Sequence, residues 1–280
     1  MSLMDLITSK GKRNNPTIGI GLGSASQQNS LIVKAVSQFL EYEEATIYLF
    51  SKESVIDELK IGSTDIILIK SKNVEKEIFN FIENRQIESV IRGSLSSNKF
   101  ISEIKNRFNA VKLNRLALLE TVDGFQFFFA PVGIDECSNI KEKQVFIEKA
   151  IKFFNSIGLE PIISILSGGR EGDKGRDKMV DATLGEGHKL IKFFNQNYPK
   201  IEIYHDEILI ENAIARKSHL IIAPNGISGN LIYRTLVHLG GGKAYGAIYL
   251  GLKNLIIDTS RVGNISEIEG ALRIAKALSK

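Results

Sequence analysis

Five short loops carry the residue types that hold small anions, and each of them follows an apolar run. Ser260 and Arg261 come just after the run at 255–257, so a guanidinium stands where a strand finishes. Arg suits that place because its planar fork can grip a carboxylate or phosphate at two points. Asn225, Gly226, Ser228, Gly229 and Asn230 follow the run at 220–223 and offer small polar side chains and backbone N–H groups at the mouth of a helix. A helix start of that kind favours negative charge. Gly23 and Ser24 follow the strand predicted at 17–22, the segment 93–97 follows the one at 89–91, and Ser167, Gly168, Gly169 and Arg170 follow the one at 161–166.

Each feature has a plainer reading. The stretch 21–24 lacks the third glycine of a dinucleotide loop, because Ser26 occupies that position, so an anion-facing turn or a simple tight turn is expected. The 167–172 loop either cradles phosphate through its N–H groups with Arg170 adding charge, or is solvated with Arg170 paired to Glu171 or Asp173. Arg261 either binds the anion or pairs with Glu267 or Glu269. Glu267 with Asn264 also has the spacing of a capped helix start. The four histidines, His188, His205, His219 and His238, show no metal-binding spacing, and no metal is expected. Cys137 lies beside Asp135 and Glu136, whose charge disfavours a thiolate, so a nucleophilic role is not expected. Those two carboxylates could bind a metal or cap the helix starting near Lys141, and the cap is the preferred reading.

The order Pro224-Asn225-x-x-Ser228-Gly229-Asn230, Tyr233, Gly240-Gly241, Gly246, Gly251 and Ser260-Arg261 resembles the C-terminal signature of the phosphate acetyltransferase and phosphate butyryltransferase superfamily. Ala130-Pro131-Val132-Gly133-Ile134-Asp135-Glu136, Ser167-Gly168-Gly169-Arg170 and the Pro-Asn-Gly form of the loop narrow the resemblance to the methyltransferase-related MtxX branch of methanogenic archaea, a methanogenesis marker. The resemblance implies a two-lobed, three-layer αβα fold with mostly parallel sheets, as in phosphotransacetylases and isocitrate or isopropylmalate dehydrogenases. One lobe would hold residues 4–125 and 255–280, the other 126–254, with the ligand cleft between them. It implies that Ser260 and Arg261 contact phosphate or acyl group and that Glu267 takes a thiol proton.

Departures from the acyltransferase pattern matter too. Glu103 stands where the acetyltransferases carry an Arg, leaving Arg92, Arg107 or Arg115 as substitutes, and Ile227 replaces an Asn. Neither a methyl-donor nucleotide loop nor a cobalamin-binding Asp-x-His-x-x-Gly is present. Three functions follow: a methyltransferase-related transferase binding a phosphate-containing ligand, an acyl-CoA:phosphate acyltransferase, or a non-catalytic binding subunit. The resemblance leaves the cofactor unknown, with coenzyme A or another phosphate compound as the expected class. It implies a homodimer, with a methyltransferase or corrinoid protein as a further partner.

The chain of 280 residues, 43% hydrophobic and 24% charged, has the composition of a soluble globular protein with a packed core. A net charge of +4 with scattered basic residues disfavours nucleic acid and leaves small anions as ligands. One cysteine fits a reducing cytoplasm. No apolar run approaches the roughly 18 residues that a membrane span needs. Met1-Ser2-Leu3 reads as a remnant outside the fold. Strands are predicted at 17–22, 45–50, 65–69, 89–91, 161–166, 201–204, 220–223, 247–250 and 255–257. A hairpin is predicted from 113–120 and 125–129. Helices are predicted at 27–40, 74–84, 98–108, 141–158, from 177 to about 195 with a kink near Gly185 and Gly187, 206–216 and 265–278. Strands separated by helices imply a parallel sheet.

Overall fold

The structure is a computed structural model that describes every residue except 11–14, 58, 60–62, 262 and 280. In chain order it forms α1 (Leu3–Lys10), β1 (Thr17–Gly21), α2 (Ser26–Leu40), β2 (Thr46–Ser51), α3 (Glu53–Ile56), β3 (Ile66–Lys70), α4 (Val74–Glu83), β4 (Ser89–Ile91) and α5 (Ser97–Phe108). There follow β5 (Arg115–Glu120), β6 (Gln126–Ala130), α6 (Ile140–Ser156), β7 (Ile162–Leu166), α7 (Lys178–Asn197), β8 (Glu202–Glu207), α8 (Ile210–Ala215), β9 (Leu220–Ile222) and α9 (Gly226–His238). The chain ends in β10 (Lys243–Tyr249), β11 (Leu255–Asp258) and α10 (Ile265–Leu278). It divides into two compact units, one of residues Leu3–Leu113 with Ala244–Lys280 and the other of Asn114–Lys243. These breaks precede 125 and 255, since β5 pairs with β6 and β10 pairs with β11.

In the first unit the strands run β3-β2-β1-β4-β11-β10, all parallel except β10. β1 shows why: Ile18 and Ile20 point to one face while Gly19 and Gly21 point to the other. A β-carbon on Gly19 would come within 2.5 Å of Ile87, and one on Gly21 would run into Leu95. The glycines thus admit the layer in which Val74, Ile78, Phe79 and Ile82 of α4 meet Phe100 and Ile104 of α5. The α4 positions repeat at i, i+4, i+5 and i+8, and each fully buried Phe contributes about 1.5–3 kcal/mol. Helices α1, α2 and α10 pack together. The helix predicted at 265–278 forms as α10 and buries Ile268, Ala271, Leu272 and Ala275 in an apolar stripe. Leu3, Met4 and Ile7 are buried in α1, so Leu3 packs into the fold, whereas Met1 is exposed.

In the second unit the order is β5-β6-β9-β7-β8, with the predicted antiparallel hairpin between β5 and β6 and parallel pairing elsewhere. The hairpin closes through Gly124 at φ +83°, a conformation that glycine adopts without penalty. α6 buries Phe146, Ile147, Ala150, Ile151 and Phe154, and Gly158 at φ +73° ends it as predicted. Its cap is Asn139, which accepts from the Glu142 N–H at 3.0 Å, and not Asp135 or Glu136. α7 runs unbroken through Gly185 and Gly187. β8 extends to Glu207 where a helix start was expected, and α8 is correspondingly short. No helix among the described residues is long and apolar enough to cross a membrane.

One pH dependence follows from this packing. His219 Nδ1 accepts the Ile162 N–H at 2.9 Å, and burial holds its pKa below the usual 6.5. A depressed histidine pKa means that the folded chain binds fewer protons than the unfolded one. Its stabilising contribution is therefore complete above about pH 6.5 and is lost as pH falls through the folded value. The urea midpoint is expected to fall between about pH 7.5 and about pH 5.5, with a shallower fall in His219→Asn.

Candidate anion-binding site

The first unit turns its chain direction at β1: the strands step outward from β1 through β2 to β3, then return to β4 on the other side. Open α/β sheets bind ligands outside the carboxyl ends of strands at such a switch point. A cavity of about 620 Å³ lies there. Its lining includes Lys52 after β2, Lys72 after β3, Lys99 on α5 and Arg261 after β11, against the two carboxylates of Glu75 and Glu103. The hydroxyls of Ser24, Ser54, Ser94, Ser96 and Ser102 share the wall. Helices α2 and α5 begin without a side-chain cap, at Ala25 and Ser96. At neither start does the cap side chain take a first-turn N–H group, whereas α4 is capped by Asn73.

Buried polar pairs hold these loops in place. Arg92, 4% exposed, forms an ion pair with Asp258 and donates to the carbonyls of Leu95 and Thr259. Tyr249 Oη adds a 3.2 Å contact to Asp258, and Thr259 Oγ1 donates to Gly93 O at 3.2 Å. The loop after β4 is thereby fastened to the loop carrying Arg261. Ser94 Oγ accepts the Gly23 N–H at 2.7 Å and donates to Asn29, which returns a bond to Gly23 O. The two glycines of the 21–24 stretch thus serve close backbone approach: Gly21 and Gly23 both abut the β4 loop.

Of the predicted catalytic residues, Arg261 is exposed at the cavity and Ser260 is half-buried beside it. Glu267 is buried, and its Oε1 accepts the Ser260 N–H at 2.7 Å. Its own N–H is capped by Asn264 at 3.2 Å. The carboxylate thus braces the Arg261 loop, and the capped-start reading describes it better than a proton acceptor. Gly23 and Ser24 line the same cavity. None of the three arginines offered as substitutes is available there. Arg92 is bound to Asp258, Arg107 to Glu83 and Glu103, and Arg115 to Glu136 at 2.7 Å.

The remaining predicted residues belong to the second unit, where most serve the fold. Gly168 N–H donates to Thr183 at 2.8 Å and Arg170 N–H to Asp173 at 2.9 Å, so two of the loop's backbone donors are engaged within the fold. Ser167 is buried and donates to Gly169 O. Asn225 caps α9 by accepting from Ile227 and Ser228, each at 3.0 Å. Ser228 closes a capping box with Asn225, and Asn230 Nδ2 donates to Val132 O at 2.8 Å. Gly226 and Gly229 press α9 onto the 131–136 loop. The most motif-like stretch of the chain is therefore a device for starting and docking a helix.

Beneath that loop, Glu136 accepts from Arg115 and from the Gly133 N–H at 3.1 Å, while burial pushes its pKa up. Cys137 is raised to about 12, first by burial and then by Glu136. Native protein at about pH 8 should therefore leave Cys137 unlabelled by iodoacetamide over hours, with full labelling in denaturant. Rapid native labelling would contradict this burial.

Sequence spacing missed one cluster, because its members come from three elements. Glu171, His188 and His205 place their donor atoms within 4.8 Å of one another. The fold thus brings His188 and His205 together with a carboxylate, a grouping that the spacing of the histidines in sequence does not show.

The two α/β units have the fold of solved phosphotransacylases and phosphotransacetylases. The branched-chain phosphotransacylase of Enterococcus faecalis superposes with a TM-score of 0.71 at 18% identity, over 94% of this chain and 98% of that one. No family model matches the sequence. A protein of Methanosarcina mazei, provisionally named methyltransferase mtx subunit X, is 36% identical over 280 residues, covering 99% of this chain and 95% of the relative. An uncharacterised methyltransferase of Methanocaldococcus jannaschii is 35% identical over 234 residues, 80% of this chain and 92% of its own length. The chain belongs to this family of methanogen mtx subunit X proteins.

Proposed function

We propose that this chain is a transferase-related protein that binds a phosphate-containing anion at the carboxyl ends of β1, β2, β3, β4 and β11. The carrying observation is the cavity that gathers Lys52, Lys72, Lys99 and Arg261 beside two uncapped helix starts. Four cations against two carboxylates leave the lining positive, and N–H donors at helix ends suit phosphate oxygens. The names of the relatives support transfer of a methyl group, and "subunit" in one of them supports a protein partner. Self-association as a homodimer belongs to the same proposal.

Acyl transfer between coenzyme A and phosphate is the second reading, favoured by Arg261 at the cavity rim and by the phosphotransacylase fold. In that reading Glu103 or Glu75, which line the cavity, takes the thiol proton in place of Glu267.

Thermal denaturation with coenzyme A, acetyl-CoA and inorganic phosphate tests the site. A ligand at about one hundred times its Kd adds about 2.7 kcal/mol, a shift of several degrees. The shift is expected in wild type and absent in Lys52→Ala/Lys99→Ala. No shift with any of the three compounds would remove the coenzyme A and phosphate forms of the reading. Acyl-phosphate formation from acetyl-CoA and phosphate then separates acyl transfer from binding alone.

A further inference from the structure

We propose that Glu171, His188 and His205 form a binding site for a divalent transition-metal ion, Zn²⁺ being the best match. His188 Nε2 and Glu171 Oε1 stand 2.8 Å apart, and the three donor atoms lie within 4.8 Å of one another. Two ligands in tetrahedral coordination at about 2.0–2.2 Å sit roughly 3.3 Å apart, so small side-chain rotations close the set on an ion. Imidazole donors select Zn²⁺-like ions over Mg²⁺ or Ca²⁺. Two histidines with one carboxylate leave at least one coordination position for water or an oxyanion.

The surrounding structure is shaped around this cluster. Gly187 lies inside α7, where glycine costs about 0.5–1 kcal/mol against alanine. A β-carbon there would collide with the His205 ring. The helix thus accepts a weak residue at the position that admits the imidazole next to His188, and the two rings meet edge-on with centroids 5.1 Å apart. Ser167 Oγ, 3.1 Å from His205 Nε2, holds the ring's orientation. Such a partner is what a ligating imidazole needs. β8 carries a register shift against β7 just beyond His205, and Glu207 there adopts φ +56°. Irregularities of this kind re-aim side chains beside functional sites. Glu171 and His188 are about half exposed, with side-chain values of 46% and 55%, so an ion has an entry path.

Calorimetric titration of the tag-free full chain with ZnCl₂ tests the assignment, with Co²⁺ absorption in the visible reporting imidazole ligation. Wild type is expected to bind one equivalent. His188→Gln and Glu171→Gln, both at exposed positions, are expected to weaken binding at least tenfold while circular dichroism stays unchanged. Gly187→Ala displaces the His205 ring and should weaken binding in the same way, whereas His238→Gln should bind as wild type does. Absence of stoichiometric Zn²⁺ binding to wild type would overturn the site. Binding that survives both His188→Gln and Glu171→Gln would also overturn it.

Discussion

Arg92→Ala should lower the unfolding free energy by about 3–5 kcal/mol, the loss expected when one member of a buried ion pair is removed. Asp258 is only 6% exposed, so its carboxylate would stay buried without the guanidinium that balances its charge. The guanidinium also serves three separate acceptors, Asp258, Leu95 O and Thr259 O. A lysine ammonium cannot reproduce that fork, so Arg92→Lys should recover less than half of the loss. Replacing both partners with apolar residues, Arg92→Met/Asp258→Leu, should cost less than Arg92→Ala alone. Urea unfolding of the four proteins measures each term. A loss below about 1 kcal/mol in Arg92→Ala would mean that this pair does not fasten the β4 and β11 loops.

Gly229→Ala carries the second large effect. A β-carbon there would meet the Pro131 carbonyl, and one on Gly226 would meet the carbonyl of Gly133. Backbone oxygens cannot rotate away as a side chain can, so the helix must shift. We expect about 3 kcal/mol for either alanine, at the upper end of the usual cost of overpacking. The Asn230 bond to Val132 O should break with it. Gly172→Ala meets open space and serves as the control, with little change. Equal stability of Gly229→Ala and wild type would contradict the close docking of α9.

Much of the architecture is legible in the sequence itself. The parallel strands, the β5–β6 hairpin and the α10 stripe follow from period and turn chemistry, which are local signals. α1 escapes such a reading because its eight residues begin the chain and show too short a stripe to stand out. The unit boundaries fall elsewhere than expected because strand pairing is not local: nothing in residues 243–249 announces that they join β11. The cavity is half legible. Gly23, Ser24 and Arg261 stand out through loop chemistry. Lys52, Lys72 and Lys99 do not, since single lysines in three separate segments carry no pattern until the sheet order brings them together. Conversely, the Asn225–Asn230 motif draws attention through its composition, yet its side chains are spent on the cap and docking of α9. Glu171, His188 and His205 show the same limit, because each sits in a different element.

The measurement that tests the central claim most directly is calorimetric titration of the chain with coenzyme A, repeated on Lys99→Ala/Arg261→Ala at low and moderate salt. A charge-assisted hydrogen bond is worth about 1.5–3 kcal/mol, so removing two should weaken binding by at least a hundredfold. Saturable binding to wild type that weakens with salt and is lost in the variant is the predicted result. Undiminished binding in the variant would place the ligand elsewhere on the chain. No binding of coenzyme A or of inorganic phosphate to wild type would contradict an anion site at the strand ends of the first unit.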